Sequence, residues 1–452
     1  MTAELESFTE IGRYVVEEKV GQGSMGEVYK ARDHRINRVV AIKTLRLNKL
    51  KTEESRQQAR NFFLREARIY GKLNYNHIAA IYDMGIHKGS PYLVMEFIEG
   101  NDLKTIISNK IEYSTAKKVE ILSFLARALH YAHQRGVLHR DIKPANIMLL
   151  DNDSPKITDF GIAQVMEISG DQTLLEAQAE DSEILGTPHY MSPEHIYSTE
   201  FTCQSDLFSL GIVAYEWLSN GHRPFVASNM KSLLKAIVGK REESLLSLGA
   251  ADEELSAIIS KALAKKCADR YHTAEDFADA LELYLNSIEM RVNESLPSMT
   301  SVEKSQIIQR LKEKYVFFAD FTNEEVSIIF KLSQKKKFIA GEYIIREGTV
   351  GTKMYVIISG LVSIQKEISG QDIEIDQVGQ GTCVGEMAII DKLERSASVI
   401  ALEPTIAIAI NETVLRLSNP AICLKLYRNL AAMLSERLRA NDIRLKELLA
   451  TQ

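Results

Sequence analysis

The 452-residue sequence predicts an α+β chain: a strand-rich lobe, a helix-rich lobe and, after a polar stretch, a small β-barrel with helices at its end. Three observations carry this expectation. Short β-branched runs crowd around a glycine turn within residues 14–43. Helical periodicity takes over from Ser114 onward. Beyond about residue 310, brief β-rich runs alternate with glycine turns.

Taken in order, Tyr14-Val15-Val16, Val28-Tyr29-Lys30 and Val39-Val40-Ala41-Ile42 read as strands. Residues 53–72 read as a charged helix, and Tyr92 to Phe97 as a further strand. Ile121, Leu122, Leu125 and Leu129 share one helical face, and more helices are expected near 205–219, 252–265 and 273–287. Residues 288–310 turn polar (Asn293, Glu294, Ser295, Pro297, Ser298), as a linker does. Tyr343 to Ile345, Met354 to Gly360, Leu361 to Ile364 and Ile406 to Ile408 read as barrel strands, and 420–450 as helical. The expected organisation is one domain over 8–287, a linker over 288–310 and a second domain over 311–452.

Composition narrows the class. An apolar content of 45% and a charged content of 26% suit a globular chain with sizeable cores. A net charge of -6 gives no support to a nucleic-acid surface, and Lys335-Lys336-Lys337 reads as a solvated face. Cys203, Cys267, Cys383 and Cys423 have no paired spacing, so neither a zinc site nor a disulfide framework is expected. Met1 to Glu10 lacks an apolar core, and Val399 to Ile410 is too short to span a bilayer. These features point to a cytoplasmic protein with no membrane and no nucleic-acid partner.

The densest chemistry lies in His139-Arg140-Asp141-Ile142-Lys143-Pro144-Ala145-Asn146, followed by Asp159-Phe160-Gly161. This order places an acid, a lysine and two magnesium-directed side chains at the spacing that phosphoryl transfer from ATP needs. Upstream, Gly21, Gly23, Gly26 and Val28 form a GxGxxGxV turn, in which glycine lets backbone approach phosphate. Val40-Ala41-Ile42-Lys43 follows at a strand end, and Glu66 on the next helix is placed to pair with Lys43.

On these motifs, residues of roughly 14–287 resemble a eukaryotic-type Ser/Thr protein kinase. The resemblance implies a two-lobed fold, ATP and Mg²⁺ as cofactors and Ser/Thr-bearing proteins as substrates. Asp141 would accept or orient the substrate hydroxyl, Lys143 would meet the γ-phosphate, and Asn146 and Asp159 would hold Mg²⁺. Lys43 would reach the α- and β-phosphates, with Gly21, Gly23, Gly26, Val28 and Ala41 around the nucleotide. Met95 would back the adenine pocket, Glu96 to Ile98 would form the hinge, and Asp102 would lie at the ribose. His139 would be structural. Glu194 would pair with Arg270, Asp206 would brace the catalytic loop, and Thr187 would bond near Asp141. Arg140 before Asp141 goes with control by a phosphorylated activation loop. No Lys or Arg occurs between Ile157 and His222, however, and 167–183 is acidic. Loop phosphorylation is therefore not expected to be the sole switch, with Thr173 and Ser182 as candidate sites.

A second constellation is Gly385-Glu386-Met387-Ala388-Ile389-Ile390 with Arg395-Ser396 after it. A helix N-terminus and a guanidinium suit a phosphate, and a carboxylate suits ribose hydroxyls. Residues 312–452 resemble cyclic-nucleotide-binding domains. By that likeness Glu386 binds the 2′-hydroxyl and Arg395 the cyclic phosphate. Gly385, Met387, Ala388 and Ser396 complete the pocket, and the ligand is cAMP or cGMP, with a lean to cAMP. The whole reads as a protein kinase regulated by a cyclic nucleotide. The rivals are a pseudokinase scaffold, and a kinase whose barrel is a docking module without ligand.

Overall fold

A computed structural model describes residues 10–22, 26–45, 52–160, 187–197, 201–293, 315–349, 353–368, 371–390, 395–411 and 420–450, with Gln309, Lys312 and Gly351 between them. The chain divides into two compact units, residues 1–282 and 283–452.

The first unit opens with a sheet of β1 (Glu10–Ile11), β2 (Tyr14–Gln22), β3 (Gly26–Asp33), β4 (Arg38–Leu45), β5 (Ile81–His87) and β6 (Ser90–Glu96). Its spatial order is β1-β2-β3-β4-β6-β5, with antiparallel neighbours throughout. One face buries Tyr14, Ala31, Val40, Ile42 and Val94. The other packs Leu45 and Leu93 against Ala59, Phe63 and Ala67 of helix α1 (Glu53–Tyr70). Thr52 starts that helix by accepting a bond from Ser55 N at 3.1 Å.

The helical lobe follows with β7 (Gly100–Asp102), α2 (Leu103–Ser108), α3 (Thr115–His133), β8 (Ile147–Leu150) and β9 (Pro155–Ile157). After it come α4 (Pro193–Ile196), α5 (Cys203–Leu218), α6 (Met230–Gly239), α7 (Glu253–Ala262) and α8 (Ala274–Asn293). Helices α3 and α5 are its core: Leu122, Leu125, Leu129, Leu207, Phe208 and Leu210 are fully buried. A helix apolar on all sides needs such a central position, and α5 is buried from Ser205 to Leu218. The backbones of 77–79 and Ile157 exchange hydrogen bonds of 2.8 and 2.9 Å, which tie the sheet lobe to the strand that leads into Asp159.

Helix α8 continues to Asn293, six residues into the span expected to be linker. Residues 294–308 of that span lie outside the described residues.

The second unit holds α9 (Asn323–Leu332), β10 (Gln334–Phe338), β11 (Tyr343–Ile345), β12 (Lys353–Ser359), β13 (Val362–Ile368) and β14 (Gln371–Val378). It continues with β15 (Cys383–Val384), α10 (Met387–Ile390), β16 (Ser398–Ala401), β17 (Thr405–Asn411) and α11 (Pro420–Ala450). The strands form two four-stranded sheets, β10-β17-β12-β15 and β11-β16-β13-β14. Ile344, Ile345, Ile357, Val362, Val384, Val399, Ala401 and Ala407 fill a core that strands of both sheets share. This is the jelly-roll-like barrel expected. The expected terminal helices form a single one, 31 residues long. Its Ile422, Leu426 and Leu430 pack with Phe317, Phe318 and Phe321 against Met354 and Val356 of β12 and Ile408 and Ile410 of β17. Lys425 bonds Glu325 at 2.6 Å across that junction, and Asn429 donates to Phe317 O at 2.8 Å.

Candidate functional site

The catalytic loop between α3 and β8 is fixed from below by one carboxylate. Asp206, fully buried on α5, accepts from the backbone N–H groups of His139 and Arg140, each at 2.8 Å. Those bonds hold Arg140 at φ 68°, a left-handed conformation that an arginine adopts only when its surroundings impose it. The expected brace is therefore formed.

A third partner, absent from the sequence reading, is His133, whose Nε2 lies 2.8 Å from Asp206 Oδ2. Burial works against a charge on His133, but the bond to Asp206 outweighs it and lifts the imidazole to about 9. Its folded value exceeds the ordinary 6.5, so the stabilisation is complete below 6.5 and fades as pH rises through about 9. We expect thermal stability to fall across that window in the wild type, and much less in His133→Gln, as measured by calorimetry at stepped pH. Nothing in the local sequence marks His133. It is an ordinary last-turn histidine until tertiary packing brings Asp206 to it.

His139 is structural, as expected. Burial lowers its affinity for a proton, and both ring nitrogens are engaged. Nε2 lies 2.8 Å from Thr158 O and Nδ1 lies 3.2 Å from Asp141 N, which suits a neutral ring donating at Nε2 and accepting at Nδ1. The ring also lies 4.5 Å from that of Phe160. One buried histidine thus couples Asp141 to the segment that carries Asp159.

Around Asp141 the geometry is tight. Lys143 Nζ donates to Asp141 Oδ2 at 2.6 Å, and Asn146 Nδ2 donates to Oδ2 at 3.0 Å and to the backbone oxygen at 2.8 Å. The second carboxylate oxygen, Oδ1, is buried without a hydrogen-bond partner among the described residues. Asn146 spends its amide nitrogen on Asp141, which leaves its amide oxygen for a hard cation. Asp159 supplies a carboxylate. No group of three or more metal-ligating side chains occurs among the described residues. Two oxygen donors suit Mg²⁺, which takes its remaining ligands from water and nucleotide phosphates. When bound, the cation neutralises charge developing on the phosphates.

Lys43 lies on β4. Its expected pairing with Glu66 is not the one formed. Lys43 Nζ lies 2.8 Å from Asp159 Oδ1. Glu66, buried on α1, instead accepts from Tyr70 Oη at 2.6 Å, one turn along the same helix. Burial and then Glu66 push the Tyr70 phenol well above its ordinary value. Lys43 outweighs burial at Asp159 and keeps that carboxylate below its ordinary range. The lysine and the carboxylate thus neutralise each other. The i, i+4 spacing of Glu66 and Tyr70 was a readable signal of the competing bond.

The other expected nucleotide contacts fall as follows. Ala41 and Met95 are buried, and Met95 lines a small cavity with Tyr70, Leu73, Leu93 and Phe160. Gly26 is required by the sheet itself: a Cβ there would sit 1.6 Å from Thr44 O. Gly21 pairs with Val28 across the β2–β3 ladder, while Gly23 lies outside the described residues. Glu96 commits its carboxylate to Lys156 at 2.9 Å and its N–H to Ala80 O at 2.8 Å, so neither is free for a base. Ile98 follows, half-buried in the open segment after β6. Asp102 caps α2 through Thr105 N at 2.7 Å. Thr173 and Ser182 lie outside the described residues, as does the side chain of Thr187.

Glu194 and Arg270 form the expected pair, with two bonds of 2.8 Å and Ser205 Oγ donating to Glu194 at 2.6 Å. Burial would raise Glu194, but Arg270 holds it down at about 2. The folded value is depressed, so this stabilisation is present above the ordinary 4.5 and lost as pH falls through about 2. Arg270 is fully buried at its side chain. Arg270→Ala should cost about 3–5 kcal/mol, read by denaturant unfolding, because it strands a carboxylate.

In the barrel, Arg395 and Glu386 are 6% and 5% exposed, beside each other at the β15–α10 turn. Burial lowers the pKa of Arg395. Its guanidinium donates to Gly385 O and Lys353 O. A Cβ at Gly351 would lie 2.1 Å from the guanidinium, and one at Gly385 2.5 Å, so both glycines are needed to seat it. A buried cation with backbone cut away around it fits an anionic ligand. Met387 and Ser396 lie on the exposed rim, 3.9 Å apart at sulfur and hydroxyl, and Ala388 follows Met387 within α10. The seating role of Gly351 was missed, because the sequence marks it only as a turn glycine.

Among the described residues no helix is long and apolar enough to cross a membrane. The family model for the protein kinase domain matches residues 14–281, and that for the cyclic nucleotide-binding domain matches 335–417. The chain is 36% identical over 280 residues to Serine/threonine-protein kinase PknB of Mycolicibacterium smegmatis, a match covering 60% of this chain and 43% of that protein. It is 36% identical over 282 residues to Probable serine/threonine-protein kinase SCO3848 of Streptomyces coelicolor, covering 61% and 40%. The chain thus spans less than half the length of these relatives. With a kinase-type loop, cleft and ion-pair frame in the first unit and a matching barrel in the second, the chain belongs to the protein kinase family and carries a C-terminal cyclic nucleotide-binding domain.

Proposed function

We propose that this chain transfers the γ-phosphoryl group of ATP to serine or threonine hydroxyls of proteins, and that a cyclic nucleotide bound to its barrel adjusts the rate. The observation that carries the first half is the convergence of Lys43 on Asp159, and of Lys143 and Asn146 on Asp141, with His139 joining the two groups. In the reaction the substrate hydroxyl rests against Asp141, which orients it and takes its proton. The oxygen bonds to the γ-phosphorus as the bond to the leaving phosphate breaks, and ADP departs. Lys143 and Lys43 stabilise charge on the phosphates; the loose transition state asks mainly for position and electrostatics.

The buried Arg395 and Glu386 support the second half. We assign Arg395 to the cyclic phosphate and Glu386 to the ribose hydroxyl, with cAMP ahead of cGMP. An allosteric coupling of about 1–3 kcal/mol would change the rate by up to a hundredfold. The test is magnesium-dependent phosphate transfer to dephosphorylated casein without nucleotide, with cAMP and with cGMP. Equal rates in the three conditions remove the regulatory half. Absence of transfer in all of them removes the enzymatic half.

A further inference from the structure

Lys156 lies on β9, three residues before Asp159, between the buried Pro155 and Ile157. Strand alternation puts its side chain on the opposite face. A lysine on such a face usually runs out to water. The Lys156 side chain is 15% exposed, and its Nζ lies 2.9 and 3.0 Å from the two carboxylate oxygens of Glu96, the last residue of β6. Glu96 also accepts from Ala80 N at 3.2 Å and donates its own N–H to Ala80 O at 2.8 Å. Segment 77–80 therefore bonds both Glu96 and Ile157, and the ion pair joins the two strands directly. Beyond Lys156 the chain leads to both side chains that suit Mg²⁺. Asp159 follows three residues on, and Thr158 donates its N–H to Asn146 O at 2.9 Å.

We infer that Lys156 and Glu96 are positioning residues, which fix the span between the end of the cleft that takes the base and the end that takes the metal-bound phosphates. The inference rests on the proposal that the cleft holds ATP. On that proposal the base meets backbone at Glu96 to Ile98, and the phosphates meet a cation at Asp159 and Asn146. A ligand held at two ends gains fully from the second only when the distance between them suits it, and a displacement of about 1 Å removes much of the gain. A doubly bonded, partly buried pair of opposite charges resists sliding of β9 past the end of β6, because it links the two without an intermediary. Adenosine has no phosphates and uses one end only, so the span does not matter to it.

Equilibrium titration of the full-length chain tests this, once with ATP and Mg²⁺ and once with adenosine. Lys156→Met should weaken ATP with Mg²⁺ by about tenfold and adenosine by less than about twofold. Lys156→Arg keeps the charge and the reach, so both affinities should stay within about twofold of wild type. Glu96→Gln should resemble Lys156→Met, and the two changes together should cost no more than either alone, as expected of partners in one contact. Equal losses for ATP and adenosine would make the pair a prop for the hinge alone and overturn the inference. Unchanged ATP affinity in Lys156→Met, or losses that add in the double variant, also overturn it. A wild-type chain that binds neither ligand removes the ATP proposal and this inference with it, whereas the other outcomes leave that proposal standing.

Discussion

Asp141→Asn is expected to lower phosphate transfer by about a thousandfold while leaving the apparent affinity for ATP within a few-fold of wild type. Positioned proton acceptors contribute roughly 10²–10⁴ in rate. The substitution keeps the shape of the side chain and removes its charge. Lys143 and Asn146 already hold Oδ2, so the loss falls on Oδ1, the oxygen with no partner among the described residues. That oxygen is where an incoming hydroxyl has an acceptor waiting. Lys43 and Asp159, proposed above to serve the nucleotide, pair with each other and not with Asp141, so on that proposal nucleotide binding has no reason to follow. Steady-state kinetics with a saturating protein substrate separates the two effects. Activity within tenfold of wild type would mean that Asp141 does not orient the hydroxyl, and a loss confined to the ATP affinity would assign it to nucleotide binding.

The Lys43–Asp159 pair bears on the same cleft. For Lys43 to reach phosphate it must leave Asp159, and for Glu66 to meet Lys43 it must leave Tyr70. The first exchange trades a carboxylate for a phosphate and the second a phenol for an ammonium, so a ligand or a shift of α1 that favours one partner biases both. Helix α1 is where such bias would act, since Phe63 and Ala67 pack it onto the sheet while Tyr70 lies 5.9 Å from the Phe160 ring.

What could be read beforehand follows a physical division. The catalytic loop, Asp206 and the Glu194–Arg270 pair were legible because a fixed chain order of polar residue types has few structural meanings. The barrel strands around Tyr355 and Ile357 were legible from their apolar runs. Strand β10 was not. Its Lys335-Lys336-Lys337 run suggested a solvated face, which the exposed Lys335 and Lys337 provide, but not that these residues pair with Ile408, Ala407 and Ile406 at the edge of a sheet. Lysine on an edge strand keeps other chains from adding to it, which hides the strand from any hydropathy pattern. Strand β14 escaped for a similar reason, since Asp372, Glu374 and Asp376 alternate on an exposed edge. The choice of Lys43 for Asp159 over Glu66 was illegible for a different reason, although the i, i+4 spacing of Glu66 and Tyr70 hinted at the competing bond. The sequence places four partners near one another, but only the rotation of a packed helix decides who meets whom. His133 and Gly351 act through residues distant in the chain, and no local pattern reports that.

Arg395→Ala should weaken binding of cAMP, and of cGMP, to the full-length chain by about a hundredfold or more. Truncating one partner of a buried charge-assisted contact costs roughly 2–5 kcal/mol, and each 1.4 kcal/mol is a factor of ten. The guanidinium also donates to Gly385 O and Lys353 O, so its removal withdraws two bonds from the turn itself. Arg395→Lys separates the roles, because it keeps the positive charge and loses the planar fork. An intermediate loss with Lys and a full loss with Ala, each with an unchanged melting profile of the unliganded chain, would place the effect on the phosphate. Gly351→Ala supplies a third reading: the guanidinium would be pushed from its seat with no charge removed, so affinity should fall although Arg395 is intact. Calorimetric titration measures all three. Wild-type affinity in Arg395→Ala would show that the nucleotide, if it binds, does so elsewhere than at the pocket built around this buried cation.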